Sequence, residues 1–363
     1  MEEENKEELE KEKPVNKKKT IGLFLLVILI SAIVFTIIFN VNDFNETIDE
    51  VKHLNQSYIG WAVLCIVIYL ALWPLSLCLI AKVNKTKSKF YESYLIGGSE
   101  HFFNGITPFS SGGQPIQGFL YYQGGVGAAE STGIIMANFI AFLIATNAFA
   151  VASLFYYGRF SVNFTDATRW MIILGFVMNL FTLFFIILMA TCKAVTNFFS
   201  KCLRVLCKIK FLGKFIEKGI PAFDKYCANT QAACKQIISH KLAFIGAIIL
   251  RGISLLFYYG APFFILKAMD IEVGLTEIPF IMLASSFAIT TMVWVPTPGG
   301  MGGIEFAFTT IFATFAGVTQ AKALTGMVFW RFLTYYLLMI LSFIMYIIYE
   351  IIIKRRKKRL NND

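Results

Sequence analysis

Long apolar runs, separated by short polar and charged segments, set the pattern of this chain and predict helices that cross a lipid bilayer. Runs of roughly 20 residues match the hydrocarbon thickness at the rise of an α-helix. Six such runs occur: Ile21–Phe39, Tyr58–Ala81, Thr132–Tyr157, Trp170–Ala190, Leu242–Lys267 and Ala323–Ile353. Two further stretches, Phe90–Gln123 and Ile278–Gly317, are apolar but interrupted. The first carries Gly97-Gly98, Glu100, His101 and then T-P-F-S-S-G-G-Q-P-I-Q (Thr107–Gln117). The second carries V-P-T-P-G-G-M-G-G-I-E (Val295–Glu305). Proline removes an N–H and clashes with the preceding turn, and glycine costs backbone entropy, so neither stretch continues as a regular helix. At membrane depth such a break survives only where protein or water satisfies the freed backbone groups.

Charge predicts which side each loop faces. Lys17–Lys19, the group Lys82, Lys85, Lys87 and Lys89, the basic stretch Thr191–Lys241 and the run Lys354–Arg359 are cytosolic by the positive-inside rule. The loops holding Asp43, Glu46, Asp49 and Glu50, and Asp270, Glu272 and Glu277, are then outside. With those ends fixed, Phe90–Gln123 starts and finishes inside, and Ile278–Gly317 starts and finishes outside. Each is expected to be a re-entrant helical hairpin. The pattern T-P-x-x-x-G-G recurs at the same point of both: Thr107, Pro108, Gly112 and Gly113, then Thr297, Pro298, Gly302 and Gly303. Residues 58–157 and 242–353 therefore read as inverted repeats, the arrangement of transporters whose site lies between repeats near the midplane.

The expected fold class is an all-α polytopic membrane protein of about six transmembrane spans plus two oppositely inserted re-entrant hairpins. Residues 1–20, a dense mix of Glu and Lys, are expected to be a disordered cytosolic N-terminus. Residues 21–353 form the membrane domain, 191–241 a basic amphipathic segment on the inner leaflet, and 354–363 a basic cytosolic tail. The expected location is the plasma or inner membrane, with both termini cytosolic and no cleavable signal peptide.

Composition narrows the function classes. With 57% hydrophobic and 15% charged residues and a mean hydropathy of +0.65, a soluble domain is excluded. The net charge of +10 resides in membrane-flanking segments, so it marks contact with anionic inner-leaflet lipids and not nucleic acid. The seven cysteines contain no C-x-x-C pair, and His101 has no partner histidine at metal spacing. No metal and no cofactor are expected.

A few residues could carry chemistry. Arg251 stands ten residues past Lys241, near the middle of its span, where an arginine is costly unless paired or solvated. It reads either as an ion pair with Glu305 or as a guanidinium fork for a phosphate. Arg331 reads as a ligand or as a side chain snorkelling to the outer headgroups. Glu305 reads as a helix cap, as counter-charge to Arg251, or as a protonatable coupling group. Asn104, Gln114 and Gln117 surround the first break and could reach a headgroup, while Ser110 and Ser111 satisfy backbone groups. Asn138 and Asn147 are expected to bond between helices. The two breaks, including Gly299 and Gly300, are expected to meet near the midplane and offer free N–H groups to a substrate.

At P-T-P-G-G-M-G-G-I-E and T-P-F-S-S-G-G-Q-P-I-Q the chain resembles the lysylphosphatidylglycerol synthase transmembrane-region family, from about Ile21 to Ile353. That family comprises the flippase domain of the multiple peptide resistance factor and its stand-alone relatives. The resemblance implies a lipid translocase that moves a phospholipid or lipid-linked anionic headgroup, such as phosphatidylglycerol or its lysylated form, between leaflets. It also implies a role in envelope charge and resistance to cationic peptides. Full-length members add a soluble domain that transfers lysine from charged tRNA to phosphatidylglycerol. Within these 363 residues no segment is long enough for it, so lysyltransferase activity is not expected. Two alternatives stay open: that lysyltransferase, and a non-transporting membrane partner of a separate synthase.

Overall fold

The structure is a computed structural model, described here for residues 52–160, 165–206, 213–315 and 317–360. The expected first span, Ile21–Phe39, and the N-terminal segment before it lie outside those residues. Among the described residues every regular element is helical. Six helices are long and apolar enough to cross a membrane: Gln56–Val83, Ala128–Tyr156, Thr168–Thr191, Lys241–Ala268, Leu275–Met292 and Ala321–Arg359. Five coincide with expected spans. The sixth, Leu275–Met292, is the first arm of the second interrupted stretch and at 18 residues is just long enough to cross. Length alone therefore does not mark it as half of a hairpin.

The first span is bent where its sequence demands. α1 (Gln56–Leu72) gives way at Trp73-Pro74 to α2 (Leu75–Val83), because Pro74 cannot donate into the helical ladder. The first interrupted stretch follows as three short helices, α3 (Phe90–Gly98), α4 (Glu100–Gly105) and α5 (Gly113–Gln123). The separation of α3 from α4 has a visible cause. Ser342 Oγ accepts the Phe102 N–H (3.0 Å) and donates to the Gly98 carbonyl (2.5 Å), replacing a backbone bond of the ladder. A side chain inserted in this way kinks a helix.

α6 (Ala128–Ser153) and α7 (Asp166–Thr191) are plain spans. α7 presents Trp170, Leu174, Phe181 and Phe184 outward, an apolar surface suited to lipid as its solvent. α8 (Lys193–Leu206) and α9 (Gly213–Ser239) occupy the basic segment expected to lie on the inner leaflet. One face of α9 packs against the bundle. Its Thr230, Gln231, Cys234 and Ile237 are buried, and Ala233 and the Thr230 carbonyl press on Gly133 of α6. A small residue on α6 lets the two backbones approach, so α9 joins the bundle while α8 keeps Phe198 and Val205 exposed.

The second half contains α10 (Lys241–Ala268), packed along α1, then α11 (Ile278–Met292), the broken segment, and α12 (Gly303–Phe312). The last span begins as α13 (Gln320–Arg331), passes through one π-helical turn (Phe332–Leu337) and continues as α14 (Leu338–Leu360). The core has two lobes. One, with Ile66, Leu255, Phe280, Phe308 and Trp330, surrounds the second break. The other, with Leu77, Phe102, Tyr121, Ile134 and Tyr349, surrounds the first. α14 packs on α3 and α4 and ties the lobes together.

Candidate functional site

The two proline-glycine breaks touch. Pro108 and Pro298 form an isolated antiparallel bridge. Each break folds into the same turn. Ser110 N–H bonds to the Thr107 carbonyl and Ser111 N–H to that of Pro108, both at 3.3 Å. In the second break Gly300 N–H bonds to Thr297 (3.1 Å) and Met301 N–H to Pro298 (3.3 Å). The two central residues are left-handed in both: Phe109 and Ser110 at φ 56° and 49°, Gly299 and Gly300 at φ 61° and 66°. Glycine adopts that conformation freely; Phe and Ser do so under strain of about 1–2 kcal/mol each. Gly299 is also fixed by space, since an added Cβ would stand 2.1 Å from the Tyr335 ring.

The expectation of free N–H groups is corrected. Gly112 N–H bonds to Thr107 Oγ1 (2.8 Å), Gly113 N–H to Asn104 Oδ1 (2.8 Å) and Gly302 N–H to Glu305 Oε2 (2.7 Å). A buried orphan donor is costly, and these three are satisfied by side chains of their own break. Asn104, Thr107 and Thr297, whose hydroxyl donates to the Met301 carbonyl at 2.7 Å, are thereby scaffolding of the turns.

Each break carries one buried ion pair, and the pairing differs from the one expected. Glu305 does not face Arg251. It caps α12 and accepts Arg331 Nε at 2.6 Å, and Arg331 also donates to the Gly299 carbonyl (3.1 Å). Arg331 does not snorkel, because Glu305, Gly299 and the Tyr335 ring hold it in the interior. Arg251 instead lies 3.6 Å from Glu100 Oε2, with its guanidinium stacked 3.7 Å from the centre of the Trp73 ring. Glu100 accepts from Trp73 Nε1 (2.9 Å) and Gln117 Nε2 (3.3 Å) on Oε2, and from Gln114 Nε2 (3.1 Å) on Oε1. Gln117 is buried behind the carboxylate, whereas Gln114 borders open space. Asn138 accepts from Ser76, and Asn147 from Asn179, both across helices.

Two adjoining cavities lie beside the first break. The outer one has a volume of about 1030 Å³ and is lined mainly by apolar side chains such as Phe119, Tyr122, Ile135, Met136 and Ile186. Its rim includes exposed Ser111, Pro115 and Tyr226, so it opens to the protein surface. The inner chamber, about 200 Å³, is lined mainly by aromatic and aliphatic side chains such as Tyr69, Trp73, Phe142, Leu255 and Ile289, with polar points at Glu100, His101, Tyr258 and Thr290. Phe109, Ser110, Gln114, Phe139, Thr182 and Trp294 border both and form the neck between them. Along α6 the lining runs from Ala128 to Thr146, about 27 Å at the helical rise. Arg251 and Arg331 border neither cavity, and the second break reaches them only through its neighbours Val293 and Trp294.

The sequence reading thus named the two breaks, Gln114, Glu305 and Arg331, but it gave Glu305 the wrong partner and did not single out Glu100, Trp73, Phe109 or Trp294. Glu100 carried the same signal as Glu305, an acid inside an apolar stretch. The aromatics carried none, because Trp and Phe are unremarkable in membrane helices.

Six helices of membrane-crossing length, two broken stretches that meet, and two adjoining cavities beside the first break describe a multi-pass membrane protein. The family model for the lysylphosphatidylglycerol synthase TM region matches residues 24–342, and the chain belongs to that family. It is also similar to a UPF0104 membrane protein of Archaeoglobus fulgidus, 24% identical over 319 residues, which is 86% of this chain and 92% of that protein.

Proposed function

We propose that the protein moves a membrane lipid between leaflets, with the tip of the headgroup received by the inner chamber and the rest of the lipid held in the outer cavity. One observation carries this reading: an apolar cavity open to the surface leads, through a neck at the first break, into a smaller chamber whose mainly apolar wall carries polar points at Glu100, His101 and Trp294. A lipid has the same two-part chemistry, and cavities of this size accommodate molecules of that class. The family and its lipid-related name favour phosphatidylglycerol or its lysylated form as the first substrates to try. Movement of such a lipid would alter envelope charge and hence sensitivity to cationic peptides.

The matching turns at the two breaks and the bridge between them support the inverted-repeat reading, with each broken stretch entering from the opposite side. On that reading Ala128 lies at the cytosolic side, and the chamber is open inward. Rocking of one repeat against the other about the Pro108–Pro298 contact would expose it outward. Arg251 acts from behind the wall: it neutralises Glu100 and fixes Trp73.

The test is leaflet exposure of fluorescent phosphatidylglycerol and lysylphosphatidylglycerol in proteoliposomes holding only this protein. Protein-dependent movement that is lost in Arg251→Ala, with the protein still folded, is expected. Absence of movement for every lipid tried overturns the reading, and an unaffected rate in Arg251→Ala overturns the role given to Arg251.

A further inference from the structure

The identity of the chamber's polar groups says which part of a headgroup it suits. Among its lining residues Glu100 is the one acidic side chain, and there is no lysine or arginine. An anionic phosphate placed there would meet a carboxylate and no cation. An ammonium would fare little better, because both features that attract one are already engaged. The Glu100 charge is balanced by Arg251 at 3.6 Å, and the face of Trp73 is covered by the same guanidinium at 3.7 Å. The protein's own cation, 1% exposed, occupies the place that a ligand cation would take.

What remains is neutral hydrogen-bonding capacity. His101 Nε2 and Trp294 Nε1 are buried at the chamber wall with no partner. The indole only donates, whereas the imidazole donates or accepts according to its tautomer. Glu100 Oε1 takes one donor, from Gln114, and retains acceptor capacity. Groups that both give and accept answer this set, which is the property of a hydroxyl. Ammonium only donates, and ionised phosphate only accepts. Aromatic rings of Tyr69 and Tyr258, packed against each other at 4.7 Å, supply flat apolar wall between the polar points.

We propose that the inner chamber binds the uncharged, hydroxyl-rich end of a lipid headgroup, a glycerol or a sugar, while phosphate, where present, stays in the outer cavity. This deepens the translocation reading and rests on it for the lipid, though not for the chemistry of the chamber.

The experiment measures binding of short-chain lipids to the full chain in detergent by native mass spectrometry, beside its melting temperature. The four probes are a monoglucosyl diacylglycerol, phosphatidylglycerol, phosphatidylethanolamine and phosphatidic acid. One or both hydroxyl-bearing probes should bind at least tenfold tighter than the other two. Binding by the glucosyl lipid alone identifies a sugar, and binding by phosphatidylglycerol alone identifies glycerol. Trp294→Phe and His101→Phe, which keep a ring but remove the polar atom, should each weaken that binding about fivefold and leave the other two lipids unchanged. Tightest binding of phosphatidylethanolamine or phosphatidic acid, or no selectivity in protein with an unchanged melting temperature, overturns the proposal. Selective binding without leaflet movement in proteoliposomes would instead refute translocation and leave the chamber's preference standing.

Discussion

The two breaks share a turn, a left-handed residue pair and a buried glutamate–arginine contact, yet they are built for different work. At the second break Gly299 and Gly300 take the left-handed positions without strain, and Glu305 spends both oxygens on Gly302 and Arg331. Neither member of that pair borders either of the two cavities described. At the first break Phe109 and Ser110 hold the same conformation at a cost, and Phe109 stands in the neck between two cavities. Its carboxylate, Glu100, is held on one side by Arg251, Trp73 and Gln117 and borders the chamber on the other. The same backbone device therefore packs into the interior at one break and lines two cavities at the other. Strain retained by a cavity-lining turn, where its counterpart uses glycine, is what a working segment shows.

That contrast can be broken at several points. Arg331→Met should have the largest effect on stability, about 3–5 kcal/mol, because it leaves Glu305 charged and unpaired in the interior. Thermal unfolding in detergent reads it, and adding Glu305→Gln should restore much of the loss. Gly299→Ala should cost about 2 kcal/mol or more through its positive φ and the encroachment on Tyr335, whose hydroxyl also holds the Gly105 carbonyl at 2.8 Å. Ser342→Ala should cost about 1–2 kcal/mol, since Gly98 and Phe102 each lose a bond partner, and should raise amide exchange around α4. Smallest and opposite in sign, Ser110→Gly should stabilise the first turn by up to about 1 kcal/mol, while Gly300→Ser destabilises the second. If both swaps changed stability in the same direction, the asymmetry of strain would be wrong.

Much of this was legible in the chain. Pro298, Gly299 and Gly300 announce a helix break because their backbone chemistry permits nothing else, and the repeated T-P-x-x-x-G-G placed both turns. Apolar run lengths gave five of the spans that the structure describes to within a few residues. The partners of the charges were not legible. Which glutamate meets Arg251 depends on how α10 packs against α1 and the first break, and linear spacing does not encode a packing between elements some 150 residues apart. The burial of α9 was hidden for a related reason: Cys234 and Ile237 read as one face of an amphipathic helix, and the sequence does not say whether lipid or α6 covers it. Phe109 escaped because a left-handed phenylalanine violates local preference, and only its counterpart glycine, Gly299, far along the chain, hints at the turn.

The most direct test of the division of labour compares two double replacements in the proteoliposome assay, normalised to folded protein. Glu100→Gln with Arg251→Gln removes the charges behind the chamber wall, and Glu305→Gln with Arg331→Gln removes those at the second break. Replacing both members of a pair avoids a stranded charge. The account predicts that lipid movement falls at least tenfold in the first variant. In the second, the melting temperature drops while movement per folded molecule stays near that of the unaltered protein. Movement at the unaltered rate in the first, or an equal loss in both, would contradict it.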